Sequence, residues 1–182
     1  HRVANVAATA TAALLAGADL KGVAAAARAT RPGPHRFTTV AVGPGGERYV
    51  DDSKATNVHA AMAALTSAGP TVWIAGGLAK GVDLEPLGAV LGEVRAAVLL
   101  GTAAPELAAV CAAAGVPAHR VADLDEGVAL AARLAAPGDT VLLAPACASF
   151  DQFASYAHRG EVFAAAVRRV TAATSTTEEG RP

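Results

Sequence analysis

The chain has 182 residues, with 15 Lys and Arg set against 16 Asp and Glu and a net charge of −1. This balance excludes the basic footprint of a nucleic-acid-binding protein, no apolar run reaches the ~20 residues of a membrane-spanning helix, and no segment has the layout of a signal peptide. Hydrophobic residues make up 53 % of the chain but aromatics only 4 %, so the core is expected to be built from small side chains. The length suits one domain with part of another attached. Cys111 and Cys147 are too few for a disulfide framework; they fit buried thiols in a reduced, cytoplasmic setting. The sequence starts at His1 rather than methionine and is expected to be a piece of something longer.

In chain order, Val3 to Leu15 reads as a small-residue helix, apolar all round, that stops near Gly17. A second helix spans Leu20 to Ala29, before Arg31-Pro32-Gly33-Pro34, a rigid segment with the character of an interdomain hinge. Residues 1–32 thus carry two helices and no strands, and are expected to belong to a neighbouring domain. From residue 33 onward, strands and helices alternate. Phe37 to Val42 and Arg48 to Val50 form a hairpin around Gly43-Pro44-Gly45-Gly46, and Val58 to Leu65 is helical. Apolar runs follow at Thr71 to Ala75, Ala96 to Leu100, Ala118 to Val121 and Thr140 to Ala144. Helical patterns lie between them at about residues 84–91, 104–114 and 125–134, with two more near 151–158 and 161–172. This alternation predicts an α/β domain over residues 33–173: a Rossmann-like, doubly wound and mostly parallel sheet with an antiparallel edge hairpin. Residues 174–182 lack apolar periodicity and are expected to be a disordered tail.

Open α/β sheets bind ligands beyond the carboxyl ends of their strands, and three such ends are chemically unusual. The first, Val50-Asp51-Asp52-Ser53-Lys54-Ala55-Thr56-Asn57, sits on a strand-to-helix turn whose free N–H groups favour an anion. The same residues also allow Ser53, Thr56 or Asn57 simply to cap the helix, with both aspartates solvated. The second, Gly76-Gly77-Leu78-Ala79-Lys80-Gly81, brings backbone close to a ligand and presents one lysine. It lacks the spacing and the Ser or Thr of a phosphate loop. The third runs from Pro145 to Phe153, where Ser149 and Gln152 have capping-box spacing and Ser149 could equally grip a carboxylate. Only three of the basic residues are lysines, Lys21, Lys54 and Lys80. Two of these lie in the unusual turns, where a compact ammonium differs from a planar guanidinium. Gly101-Thr102 and Pro137-Gly138-Asp139 read as ordinary turns, and His59, His119 and His158 as isolated surface or core histidines.

Asp52-Ser53-Lys54-Ala55-Thr56-Asn57, Gly76-Gly77-x-x-Lys80 and Pro145-Ala146-Cys147-Ala148-Ser149-Phe150-Asp151-Gln152-Phe153, with Pro34-His35-Arg36-Phe37 and Arg159-Gly160, together resemble the Mur ligase family. Within it the likeness is to the branch that adds D-glutamate, and it spans about residues 1–170. The resemblance implies an ATP-dependent, ADP-forming amide ligase of peptidoglycan precursor synthesis. Its reaction joins D-glutamate to UDP-N-acetylmuramoyl-L-alanine through an acyl phosphate. Residues 33–173 would be the C-terminal, amino-acid-binding domain, and residues 1–32 the end of the central ATPase domain. By position, Lys54, Thr56, Lys80, Ser149, Phe150 and Tyr156 match family residues lining the D-glutamate site. Asn5, Arg36 and Asp52 match residues at the adenine, phosphates and ribose of ATP. The chain departs from the family at Arg2, where asparagine is usual, and at Tyr156, where phenylalanine is common.

The resemblance also implies that the ATP phosphate loop, the ligands of Mg2+ and the nucleotide-sugar domain lie outside these residues. No catalytic residue is therefore assigned here, and the chain alone is expected to be inactive. Two other readings are open: the C-terminal domain of another Mur ligase or a folylpolyglutamate synthase, and a non-catalytic Rossmann-like nucleotide-binding module. The second would need the Gly-x-Gly-x-x-Gly that this chain lacks.

Overall fold

A computed structural model describes residues 2–30 and 33–178. The chain divides into two compact units between Gly33 and Pro34. The first holds helices α1 (Arg2–Leu15) and α2 (Leu20–Ala29). Asp19 starts α2 by accepting the N–H of Gly22 at 2.8 Å. Between the helices lies a groove of about 520 Å³ lined by Asn5, Val6, Ala10, Val23 and Ala27.

The second unit is a six-stranded sheet in the order β1-β2-β6-β3-β4-β5. Its strands are β1 (Thr38–Val42), β2 (Arg48–Asp51), β3 (Thr71–Gly76), β4 (Val94–Leu100), β5 (Ala118–Arg120) and β6 (Thr140–Ala146). The hairpin β1–β2 is antiparallel and every other pairing is parallel. The α/β sheet with its antiparallel edge hairpin is thus as the sequence predicts. Helices α3 (Val58–Ala68), α4 (Ala104–Ala113), α5 (Leu124–Leu134) and α6 (Tyr156–Glu178), with a 3₁₀ segment at Glu85–Glu93, complete the unit.

Both sheet faces are covered, which is why the central strands read as unbroken apolar runs. Alternate residues go to opposite faces. Trp73, Ala97, Leu99 and Leu142 pack with Leu65 of α3, Leu87 of the 3₁₀ segment and Leu107 of α4. Val72, Ile74, Val98 and Leu143 pack with Val128 of α5 and Phe163 of α6.

Four details differ from the sequence reading. Residues 84–91 form the 3₁₀ segment rather than an α-helix; Pro86, Gly88 and Gly92 are weak helix formers, although Leu87 and Leu91 are still buried. The two stretches near 151–158 and 161–172 are one helix beginning at Tyr156. Gly160 lies inside that helix, and glycine stands there for space rather than as a break: an added Cβ would lie 2.3 Å from His35 Nδ1 and 2.6 Å from Asp51 Oδ2. That helix runs on through residues 174–178, which the sequence reading assigned to the tail; residues 179–182 lie outside the description. Helix already anchored by its buried half extends at little cost into weakly favourable sequence. Finally, Pro137-Gly138-Asp139 is more than a turn. Asp139 is buried and accepts Arg95 Nε at 2.6 Å and the Ala136 N–H at 2.8 Å, tying the amino ends of β4 and β6 together.

An added Cβ on Gly76 would fall 1.8 Å from the carbonyl oxygen of Leu100, and its φ of +124° is closed to side chains. Gly76→Ala should cost roughly 3 kcal/mol or more in urea melts. Gly92→Ala, with nothing within 4 Å of the new methyl, should stay within about 0.5 kcal/mol of the parent. Arg95 beside Asp139 holds that carboxyl below its ordinary value. A depressed carboxyl contributes stability above its unfolded pKa of about 3.9 and loses it as pH falls through the folded value. Arg95→Ala should therefore shift the acid-unfolding midpoint upward while leaving a base titration from pH 7 to 9 unaltered.

Candidate functional site

The sheet reverses its winding between β6 and β3. From β3 the chain proceeds through β4 to β5, whereas from β6 it turns back into α6, which packs on β1 and β2. A crevice at such a point is where open α/β sheets hold ligands, and local backbone builds it. Pro145 has no N–H to give a central strand, so the β3–β6 register slips between Ile74 and Gly76. Trp73 Nε1 donates to the Ala144 carbonyl at 2.8 Å beside the slip. Ala146 then takes φ +61°, and its N–H is held by the Ala55 carbonyl at 2.9 Å. Beyond β6 the chain bridges back to the loop after β3: the Leu78 N–H donates to the Ala148 carbonyl at 2.9 Å and the Ala148 N–H to Leu78 at 3.1 Å.

Under these loops lies Arg159, only 1 % exposed. Its guanidinium donates to the carbonyls of Gly76 at 3.2 Å, Ser53 at 3.2 Å and Cys147 at 3.0 Å. One side chain therefore joins the carboxyl ends of β2, β3 and β6. Burial pushes its pKa down to about 10, partly countered by Cys147, Asp151 and Asp51; at neutral pH it remains a cation. The Cys147 thiol is pushed up to about 11 by burial, as is that of Cys111, so both stay protonated. Gly101-Thr102 belongs to the same edge rather than being a plain turn. The Thr102 N–H donates to Asp151 Oδ2 at 3.0 Å and the Thr102 hydroxyl to the Gly77 carbonyl at 3.1 Å.

The side chains singled out from the sequence fall into pairs. Lys54 Nζ donates to the Tyr156 hydroxyl at 3.0 Å and lies 4.6 Å from its ring centroid. Lys80 Nζ lies 5.3 Å from the ring centroid of Phe150, which is 65 % exposed. Thr56 is half-buried, one residue before Asn57. Of the three capping candidates it is Asn57 that starts α3, accepting the Ala60 N–H at 2.9 Å. Ser149 is buried and caps no helix; its carbonyl accepts the N–H groups of Gln152 and Phe153 in a tight turn. The Gln152 amide instead donates to the Ala122 carbonyl at 2.9 Å. The cap of α6 is Ser155, whose hydroxyl accepts the His158 N–H at 3.0 Å, while His158 Nδ1 receives the Ala154 N–H.

Arg36 is exposed, and Asp52 Oδ1 accepts the Phe37 N–H at 3.0 Å, so the entry to β1 and the exit from β2 are tied. Beneath them His35 Nδ1 meets Asp51 Oδ2 at 2.7 Å, and Asp51 Oδ1 accepts the Ser53 N–H at 2.8 Å. Asn5 lies in the first unit, at the α1–α2 groove. The described non-glycine residues with positive φ are His35, Phe37, Lys80 and Ala146. All four belong to these strand-end segments, and strain of this kind gathers where backbone is shaped for a ligand. Arg159 is the residue that sequence reasoning left without a role. Its signal was a charged residue set against glycine three positions after Tyr156, on a helix that buries Phe163.

The sequence model described as Mur ligase, glutamate ligase domain matches residues 35–147. A UDP-N-acetylmuramoylalanine--D-glutamate ligase of Frankia casuarinae is 50 % identical over 171 residues, covering 92 % of this chain and 36 % of its own length. Its namesake in Streptomyces avermitilis is 47 % identical over 177 residues, 92 % of this chain and 38 % of its own. The chain thus spans a little over a third of these relatives. Among solved structures, UDP-N-acetylmuramate-alanine ligase MurC of Thermotoga maritima aligns with a TM-score of 0.67 at 16 % identity, over 93 % of this chain and 38 % of that one. The murein peptide ligase Mpl of Psychrobacter arcticus gives 0.62 at 14 %, over 92 % of this chain and 35 % of its own; both show the shared fold. With that fold, the matched domain and relatives at half identity, the chain belongs to the Mur ligase family.

Proposed function

We propose that this chain is the C-terminal part of an ATP-dependent UDP-N-acetylmuramoyl-L-alanine:D-glutamate ligase, acting in the cytoplasm in peptidoglycan precursor synthesis, and that its carboxyl edge binds the incoming D-glutamate. The observation that carries this is the pair of lysines, each beside an aromatic ring, on two loops joined through one buried arginine. D-glutamate brings two carboxylates, and two separated ammonium groups on a fixed backbone suit a short dicarboxylate better than a single cation would. Ser149, buried in the tight turn that follows β6, would add a neutral hydroxyl donor to the same edge. The names of the relatives favour D-glutamate over the substrates of sister ligases.

Arg36 and Asp52 would complete an ATP site shared with the rest of the enzyme. An exposed guanidinium suits phosphate oxygens, and a carboxylate anchored by the Phe37 N–H suits ribose hydroxyls. Asn5 is matched only by the family resemblance to a residue at the adenine, and the helical unit that carries it would be the end of the central ATPase domain. ATP supplies the phosphoryl group that activates the acceptor carboxylate, with Mg2+ held by residues elsewhere in the enzyme. What this chain contributes is orientation: it holds the amino acid by its carboxylates and leaves the amine free to attack.

Lys80→Ala in the complete enzyme should raise the KM for D-glutamate by on the order of thirtyfold or more, because a carboxylate loses its charged partner. Lys80→Arg should recover little, since a planar fork does not replace a point charge. Melting temperatures should hold, because the exposed side chain buries nothing. Wild-type D-glutamate kinetics in Lys80→Ala would remove the assignment. Asp52→Ala should act on the other substrate, raising the ATP KM on the order of tenfold with a smaller change for D-glutamate. The reverse split would move Asp52 to the amino-acid site.

A further inference from the structure

Among the described residues Arg159 is the largest buried charged side chain, and its side chain hydrogen-bonds to no position matched to a substrate. Its three acceptors are nevertheless main-chain carbonyls of the segments that carry those positions. Ser53 precedes Lys54, Gly76 opens the loop ending at Lys80, and Cys147 lies two residues before Ser149. Tyr156, which receives Lys54 Nζ, lies three residues before Arg159 in α6, and so on the same helical face. The glycine at 160 lets that first turn approach His35, Asp51 and Ser53 more closely than any side chain would permit.

We propose that Arg159 is a positioning residue for D-glutamate: it fixes the spacing between the Lys54–Tyr156 pair and the Lys80–Phe150 pair. The inference rests on the reading of this edge as the D-glutamate site. The ATP-facing side has anchors of its own. Asp52 is held by its N–H to the Leu143 carbonyl at 2.9 Å and by its carboxylate to the Phe37 N–H at 3.0 Å. Loosening Arg159 should therefore alter one substrate and spare the other. Lysine cannot replace it, since a single ammonium does not span three carbonyls that a planar fork reaches from one place.

The test uses the full-length ligase with Arg159→Lys, Arg159→Met and, in parallel, Lys80→Ala. Readouts are KM for D-glutamate and for ATP, kcat, melting temperature, and hydrogen exchange at the Leu78 and Ala148 amides that bridge the two loops. Arg159→Lys should raise the D-glutamate KM about tenfold or more, keep the ATP KM within about threefold, and speed exchange at both amides. Arg159→Met leaves three carbonyls without their donor and should be worse on every count. If it does not fold, Arg159→Lys carries the test. A purely structural residue would lower kcat by shrinking the active fraction and leave both KM values alone; that result overturns the proposal, as does an equal rise in both. An unchanged D-glutamate KM in Arg159→Lys beside an altered Lys80→Ala overturns this inference only. An unchanged value in Lys80→Ala overturns the site reading and this inference with it.

Discussion

A guanidinium sealed inside the protein and surrounded by carbonyl oxygens is the interaction on which the carboxyl edge depends. Taking Arg159 out of water is costly, and among the described residues no carboxylate lies within ion-pair distance to repay it. What offsets the cost is hydrogen bonding: each bond from a charged donor is worth about 1.5–3 kcal/mol, and here there are three. The carbonyls need Arg159 as much as it needs them. They lie where strands end and ladder partners run out, and without it the ends of β2, β3 and β6 would carry buried acceptors with nothing to accept. Carbonyl rather than carboxylate partners leave the positive charge only partly offset, by Asp151 and Asp51 nearby, next to a site proposed to receive an anion.

The alanine- and glycine-rich composition fits this construction. Loops can be stitched backbone to backbone only where side chains do not hold them apart. An added Cβ on Gly77 would lie 2.2 Å from the Ala148 carbonyl oxygen, and one on Gly101 would lie 2.3 Å from Asp151 Oδ2. These glycines are space requirements more than flexible points. The same holds for Gly160, whose cost in a helix interior, about 1 kcal/mol relative to alanine, is accepted so that α6 can rest on the end of β2.

Much of this was legible in the sequence because it follows from period and punctuation. Alternating runs and helical spacing gave the parallel sheet, and the Gly-Pro-Gly-Gly turn gave the edge hairpin. The unusual strand ends drew attention to Lys54, Lys80 and Ser149 by residue type alone. What stayed illegible depends on contacts distant in sequence. Ser149 and Gln152 have the spacing of a capping box, yet Ser155 begins the helix, because the chain must first turn back past the Leu78 bridge. Thr102 reads as a turn residue because its partners, Gly77 and Asp151, are 25 and 49 residues away. An arginine inside an amphipathic helix reads as surface charge, and the glycine beside it is the one local hint that this face packs closely.

The two edges of the sheet carry different burdens. At the amino edge Asp139 and Arg95 form an ion pair that closes the strand ends, and no described non-glycine residue there has a positive φ. At the carboxyl edge four such residues occur, each in a conformation that costs of order 1–3 kcal/mol. An edge selected only to fold would place glycine at those positions. Lys80 is the informative case: Gly81 beside it shares the left-handed backbone, at φ +71° against its own +57°. Glycine was therefore available to this turn, yet a lysine occupies the strained position, with its ammonium near an exposed phenylalanine. A strained, exposed side chain that adds no buried area contributes little to folding, which is what the proposed role of Lys80 toward an anion from solution would require.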